Sequence, residues 1–457
     1  MAIPSRHRAV VNGLRIFWVL AILWYELGIF SASVRWCNWP DPYLHLPAHI
    51  LLVADPQIVD RHSYSSRGPL LSYLTRVLVD LNLRKNWRIL SYFLGDMMDN
   101  GRYAMPEEEY EDYYQRFSDI FRVTDGIPVY FIAGNHDTGL GISSQFSDEA
   151  RSRYSAHFGT PNKVISIANH SLHKYCKELH LMFLKEQHTD PVILFSHIPL
   201  NRPDGKGCGP LREKGSIRPG VGLGYQNMLE KKSSQRLLES FKPVAVFSGD
   251  DHDYCEHTHQ LLSPRGQPQM VREVTVKTIS MVMNVQRPGF QLLSLAPSDL
   301  RTDSKHTYFD TPCLLPDQLR IYLNTYIPFL ALSLLVVFGM NVQNETRSSH
   351  LKNRPISSQD FPMIDRHPDI EDPSIGSSSS PGWFILEGQR RRPKVDRLPV
   401  SEWFKRPKEA LLCFCSGRTR TVLRRQSWLW ASLLDVWSIA IFPLCTFALV
   451  TWWLMSN

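Results

Sequence analysis

No basic stripe interleaved with aromatic side chains occurs between residues 41 and 310, although the 457-residue chain carries a formal net charge of +7. That absence argues against nucleic acid as a partner. The basic surplus lies instead in the first fifteen residues and in 389–425, where QRRRPKVDR and SGRTRTVLRR occur. No internal repeat is visible, and with it goes any repeat architecture. The first long apolar run, Leu14 to Ala32, lacks a good small-x-small cleavage site, since Ala32-Ser33-Val34 is a poor one. A removable signal peptide is therefore disfavoured. No retrieval motif of the K-D-E-L type ends the chain.

Long apolar runs are present. A membrane-spanning helix needs about 20 mostly apolar residues. Residues 14–32, 319–340 and 432–455 meet that need. Glu26 is a real cost to the first, while Trp18, Trp24 and Tyr25 suit a membrane interface. Arg6, Arg8 and Arg15 precede the first run, and Arg418, Arg420, Arg424 and Arg425 precede the third. The positive-inside rule then places residues 1–13 and the 341–431 loop in the cytosol. Residues 41–312 form a lumenal domain. The 341–431 loop, basic and rich in Ser and Pro, is expected to be mostly disordered.

Cys37, Cys176, Cys208, Cys255 and Cys313 fall on the lumenal side, where disulfides are permitted. Their connectivity cannot be read, and the odd count leaves at least one free thiol. Cys413 and Cys415 are read as unmodified thiols near the third span. Asn169-His170-Ser171 is a lumenal sequon, and Asn344-Glu345-Thr346 is a sequon that this topology hides.

Within 41–312, short apolar runs end in polar clusters: AHILLVADPQ, RILSYFLGDMMDNG, IPVYFIAGNHDTG, DPVILFSHIPL and KPVAVFSGDDHD. Helical spacing separates them at Gly68–Leu83, Glu107–Phe121 and Ser233–Ser240. This is α/β patterning. After residue 260 the pattern turns β-like and suggests strands of a second sheet. In α/β sheets the site lies beyond the carboxyl ends of the strands, where all five clusters fall. FSGDDHDYCE, residues 247–256, poses the chemical question most sharply. Carboxylates directly after a buried strand are expensive unless they reach water or a cation lies between them.

Taken together, Asp55-Pro56-Gln57, Gly95-Asp96-Met97-Met98-Asp99, Gly134-Asn135-His136-Asp137, Ser196-His197 and Gly249-Asp250-Asp251-His252 resemble the five-block signature of calcineurin-like metallophosphoesterases. The resemblance implies a two-sheet α/β/β/α metallophosphoesterase sandwich, here combined with transmembrane helices. It also implies two divalent metal ions. One would take Asp55, Asp96 and His252, with Gln57 as a weak ligand. The other would take Asp96, Asn135, His197 and Asp250. His136 would sit beside the scissile phosphate as the catalytic acid, oriented by Asp99. Two blocks depart from the family form: Gln57 and Asp250 stand where histidines are usual. The added oxygen donors favour manganese or magnesium over zinc. Asp251 and Asp253 are expected to be solvated or outside the ligand set, Asp137 to support it, and His257 and His259 to be on the surface. Loop surface is also the default for Asp60, Arg61 and His62.

The blocks, together with VREVTVKTISMVM and RPGFQLLSL, resemble the membrane-bound branch that remodels GPI anchors. That implies a phosphodiesterase of the endoplasmic reticulum or Golgi membrane. It would remove an ethanolamine-phosphate branch from a GPI mannose, with manganese as metal, GPI-anchored proteins or lipid as substrate, and ER-to-Golgi transport as the outcome. A phosphomonoesterase acting on protein or inositol lipid, and a non-catalytic cargo-sorting protein, remain alternatives. One stretch breaks the pattern. LHKYCKELHLMFLKEQHTD, residues 172–190, is helical in character where the family has a strand, and the interval from His136 to His197 is short.

Overall fold

The structure is a computed structural model that describes residues 5–40, 48–64, 66, 68–86, 92–123, 126–140, 146, 148–168, 170–175, 190–261, 269–296, 307–352 and 428–456. The chain divides into two compact units, residues 14–331 with 440–457 and residues 1–13 with 332–439.

Among the described residues, three helical segments are long and apolar enough to cross a membrane: Arg6–Trp36, Gln318–His350 and Trp428–Ser456. The first consists of α1 (Ser5–Leu23), a π-helical turn at Trp24–Gly28, and α2 (Ile29–Trp36). Glu26 in that turn is fully buried, which explains how so apolar a run tolerates it. It pairs with Lys85 and accepts a hydrogen bond from the Tyr326 hydroxyl at 2.8 Å. A charge held this way avoids the cost of meeting hydrocarbon unpaired.

The domain begins with β1 (Ala48–Val53), α3 (Pro69–Asn86), β2 (Tyr92–Phe93), α4 (Glu107–Ile120), β3 (Tyr130–Phe131), α5 (Asn135–Thr138) and α6 (Ala150–Phe158). It continues with β4 (Val164–Ile167), β5 (His170–Tyr175), β6 (Val192–Ser196), the short pair β7 (Val221–Gly222) and β8 (Tyr225–Gln226), and α7 (Lys231–Phe241). Strands β9 (Ala245–Ser248), β10 (Cys255–Leu261), β11 (Gln269–Thr275), β12 (Gly289–Leu295) and β13 (Tyr308–Leu314) close it. Then come α8 (Gln318–Ile321), α9 (Ile327–Lys352) and α10 (Trp428–Ser456).

One sheet has the order β13-β12-β1-β2-β3 and the other β10-β11-β9-β6-β5-β4. The apolar runs are continuous because both faces of each sheet are covered. In β1, Leu51 and Val53 enter a core shared with α3, α4 and α6, while Ile50 and Leu52 face the second sheet. In β6 and β9, Phe195 and Phe247 meet that same inter-sheet core, while Leu194 and Val246 pack with Leu237 and Leu238 of α7. The result is the helix–sheet–sheet–helix sandwich that the family resemblance implies.

Three expectations change. Of the strands after residue 260, β11 lies in the second sheet, parallel to β9, but β12 and β13 join the first, where β12 pairs antiparallel with β1. Local alternation fixes a strand's faces but not its neighbours. Residues 172–175 are not helical. They lie in β5, which pairs parallel with β6 and antiparallel with β4, so the sheet is continuous at this point. The rest of that stretch, 176–189, lies outside the described residues. Finally, residues 341–352 continue α9 and 428–431 open α10, so the two ends of the expected 341–431 loop are helical. Its remainder, with Cys413 and Cys415, lies outside the described residues, as do Cys176 and Asn169.

Among the described residues, two disulfides are formed. Cys37–Cys313 ties the end of α2 to β13, and Cys208–Cys255 ties a long loop to the start of β10.

Candidate metal centre

The parallel strands of both sheets end at one place. Asp55 and Gln57 follow β1, Asp96 follows β2, Asn135 and His136 open α5, His197 follows β6, and Asp250 and His252 follow β9. The backbone turns sharply there. Asp55, Gln57, Asp96, Asp250 and His252 have φ of 48°, 37°, 53°, 64° and 68°. Non-glycine residues seldom adopt this left-handed conformation, which costs on the order of 1–3 kcal/mol where the fold enforces it. Two glycines make room for the polar side chains. A Cβ on Gly134 would lie 2.0 Å from Asp96 Oδ1, and one on Gly95, at φ 105°, would lie 2.2 Å from His197 Nδ1.

Donor atoms of Asp55, Asp96 and His197, all buried, lie within 4.8 Å of one another. The His197 ring fixes the character of the cluster. Its Nδ1 donates to the Leu94 carbonyl at 2.8 Å. A carbonyl can only accept, so Nδ1 carries the hydrogen. The opposite nitrogen, Nε2, then faces Asn135 Oδ1 at 3.0 Å, Asp96 Oδ1 at 3.3 Å and Asp250 Oδ1 at 3.4 Å. A lone pair aimed at three oxygens is repulsive unless something positive lies among them.

The carboxylates make the same point. Asp55 Oδ1 accepts from the Asp250 backbone N–H at 3.1 Å, while its Oδ2 is buried and accepts no hydrogen bond. Burial raises the Asp55 carboxyl well above its ordinary range; His197 opposes this, and Asp96 and Asp250 reinforce it. Burial would lower His197, but Asp96 and Asp250 outweigh it and hold the imidazole well above its ordinary value. Burial would raise Asp96, but His197 and His136 pull its carboxyl below the usual range. Without a cation, one proton on His197 is the main offset to two buried acids, Asp55 and Asp96, and the partly buried Asp250. A divalent cation fits this donor set, because hard oxygen ligands and a neutral imidazole bind such ions.

Supporting groups fix the donors. Asn135 Nδ2 donates to the Gly224 carbonyl at 2.9 Å, which turns its oxygen inward. Asp96 accepts from the His136 backbone N–H at 2.8 Å and from Gln57 Nε2 at 2.9 Å. Gln57 thus presents its amide nitrogen to Asp96. Asp137 takes the Gly134 and Met98 backbone N–H groups at 2.8 and 3.2 Å, the supporting place expected of it. Burial, with Asp96 nearby, pushes its carboxyl up to about 7. Burial also lowers His252 to about 4, leaving it neutral. His136 Nδ1 donates to the Asp99 backbone carbonyl at 2.6 Å, and the Asp99 carboxylate lies 3.5 Å from the same nitrogen. The orienting contact therefore comes mainly from the Asp99 main chain.

Several neighbours differ from expectation. Asp251 is not simply solvated but pairs with Arg212, and Asp253 is fully buried, receiving the Glu213 and Lys214 backbone N–H groups. His257 and His259 are buried, and His259 binds Glu273 at 2.7 Å. Asp60 is buried, whereas Arg61 and His62 are exposed and pair with Glu109. Ser63, Arg102 and Gly224 escaped the sequence reading. Ser63 Oγ donates to Asp99 Oδ2 at 2.5 Å, and Arg102 donates to the carbonyls of Asn135 and Gly224 at 3.3 and 3.0 Å. No local signal marks them, since each acts through a contact distant in sequence.

A family model described as calcineurin-like phosphoesterase matches residues 48–254. Cell division control protein 1 of Saccharomyces cerevisiae is 33% identical over 361 residues, covering 68% of this chain and 73% of that one. Metallophosphoesterase 1 homolog of Drosophila melanogaster is 23% identical over 392 residues, covering 74% and 96%. Metallophosphoesterase 1 of Danio rerio is 23% identical over 351 residues, covering 66% and 84%.

Proposed function

On the premise that this chain belongs to the calcineurin-like phosphoesterases, metal-dependent hydrolases of phosphoesters, we propose that it is a membrane-embedded phosphodiesterase. Its substrate is the ethanolamine-phosphate branch on a mannose of GPI anchors. The observation that carries the reaction class is His197 Nε2 aimed at three oxygens, beside a buried Asp55 oxygen with no hydrogen bond. Asp55, Asp96, Asn135, His197, Asp250 and His252 would hold two divalent cations, manganese being the ion this oxygen-rich set suits. When bound, such ions offset the charge of a phosphodiester and activate water. Gln57 donates to Asp96 and holds its carboxylate in place. His136, with Nδ1 donating to the Asp99 carbonyl, would act as the imidazolium, passing the proton on Nε2 to the departing alkoxide oxygen and becoming neutral.

The membrane setting supports the substrate. A lipid-linked glycan and an anchored enzyme share one surface, which raises their effective concentration. The two disulfides accord with an oxidising lumen of the endoplasmic reticulum or Golgi, and the arginines at the opposite ends of the spans accord with a cytosolic N-terminus. The reaction is tested on bis-p-nitrophenyl phosphate with and without manganese. Wild type should hydrolyse it metal-dependently, and His136→Ala should lose about 10²–10⁴-fold. Equal rates in the two proteins would remove the catalytic reading. Mass spectrometry of GPI glycans from cells lacking the protein tests the substrate: an unchanged ethanolamine-phosphate content would remove it.

A further inference from the structure

We propose that α3 is an interfacial helix that lies in the lipid headgroup region, on the face of the membrane that bears the sandwich, and seats the rim of the active site there. The inference rests on the membrane-spanning reading above but not on the identity of the substrate.

The observation is an apolar face where a water-facing helix would be polar. The opposite side of α3 is spent on the domain core, through Val79 and Leu83. On its outward side Leu70, Leu71, Tyr73, Leu74 and Leu78 are 71%, 49%, 54%, 45% and 39% exposed. Helix α4 packs on the same core and behaves ordinarily: its buried side is Tyr110, Tyr113 and Phe117, and Glu107, Glu108, Glu111 and Asp112 face out. An exposed stripe of this kind marks an interaction surface.

The occupant follows from where the stripe leads. Leu70, Leu74, Val77 and Leu81 repeat at helical spacing and share one face. At the C-terminal end of that face, Leu81 and Val77 pack with Leu27 of the first span and with Val450 and Leu454 of the third. One turn further on, Lys85 reaches Glu26, within the first span, and Gln318, at the start of the second. The same face that meets the spans at one end is bare at the other, about 16 Å away by helical rise. What covers the spans is lipid, and the bare half continues that surface. Tyr73 and the half-buried Arg76, whose guanidinium lies over the Tyr73 ring, supply the amphipathic groups that favour headgroup depth.

The active site is attached to the far end of this helix. Ser72 Oγ in its first turn donates to the Ser63 carbonyl at 3.0 Å, and Ser63 Oγ donates to Asp99 at 2.5 Å, next to His136. A helix resting on the bilayer therefore sets the site at the height of a lipid-linked phosphodiester.

The test places an environment-sensitive fluorescent residue, encoded genetically, at position 70 or 74 of the full chain, or at Lys232 on α7 as a control. The chain is reconstituted in phosphatidylcholine vesicles with and without brominated lipid. Both α3 positions are outside the core, and retained bis-p-nitrophenyl phosphate hydrolysis verifies the fold. The expected result is blue-shifted emission, with bromine quenching about threefold or more above that at 232, for burial to roughly 5–10 Å. If the protein resists alkaline carbonate extraction yet both α3 labels are quenched no more than the 232 label, this inference fails and the membrane reading stands. Release by carbonate would overturn both.

Discussion

Two clusters in the sandwich bury carboxylates, and they solve the same problem in opposite ways. At Glu273 on β11 the counter-charge belongs to the chain. Arg202 lies 2.9 Å and His259 2.7 Å from Oε2, while Leu200 N–H and Ser248 Oγ donate to Oε1 at 2.9 and 2.8 Å. Burial alone would raise that carboxyl, but Arg202 and His259 outweigh it and lower it to about 2. At Asp55, Asp96 and Asp250 the chain supplies one imidazole for three acids and leaves Asp55 Oδ2 unbonded. A fully paired buried carboxylate is architecture. An incompletely paired group of them at strand ends is a candidate cation site.

The largest expected effect comes from removing the central acid of the unbalanced cluster. Asp96→Asn should lower kcat/KM for bis-p-nitrophenyl phosphate by about 10⁴-fold, roughly 5.5 kcal/mol, with bound manganese lost by elemental analysis. Its metal-free melting temperature should equal or exceed that of metal-free wild type, because a repelling charge has gone. A variant that kept its metal and activity would erase the distinction between the clusters. The balanced cluster should respond the other way. Glu273→Gln leaves Arg202 buried without its partner and should destabilise the fold by about 3–5 kcal/mol in denaturant unfolding, while metal content per folded molecule stays normal.

Metal removal sharpens the contrast at smaller magnitude. Chelation should lower wild-type stability, and manganese at a hundred times its dissociation constant should restore about 2.7 kcal/mol. Asp96→Asn should show neither response. Acid should produce the smallest difference. The folded Glu273 carboxyl titrates near 2 against an ordinary 4.5. A depressed carboxyl contributes stability that is fully present above about 4.5 and drains away as pH falls toward 2. Glu273→Gln should lose that part of the acid dependence, so its unfolding free energy should fall less steeply than wild type's over this window.

The sequence exposed the candidate metal-binding residues more readily than their surroundings. Asp55, Asp96, Asn135, His197, Asp250 and His252 each follow an apolar run closely, so the strand and its polar tip are one local pattern. The burial of Asp253, His257 and His259 is not legible locally because the partners are remote: Lys277 for Asp253 and Glu273 for His259. A polar side chain's burial depends on a residue that local spacing does not reveal. The β character of residues 172–175 was hidden for a related reason. Lysine and histidine in β5 look like a helix surface, and its pairing with β6 and β4 supplies what propensity does not.

The sequence by itself determined the alternation of strand and helix, the three apolar runs and the polar tips that name the chemistry, since each is a pattern of near neighbours. Tertiary structure alone decided which strands share a sheet, which cysteines join, which buried acids find a partner and which face of α3 is left bare. Those outcomes turn on Coulombic and packing contacts between residues far apart in the chain, and no local stretch encodes its distant partner.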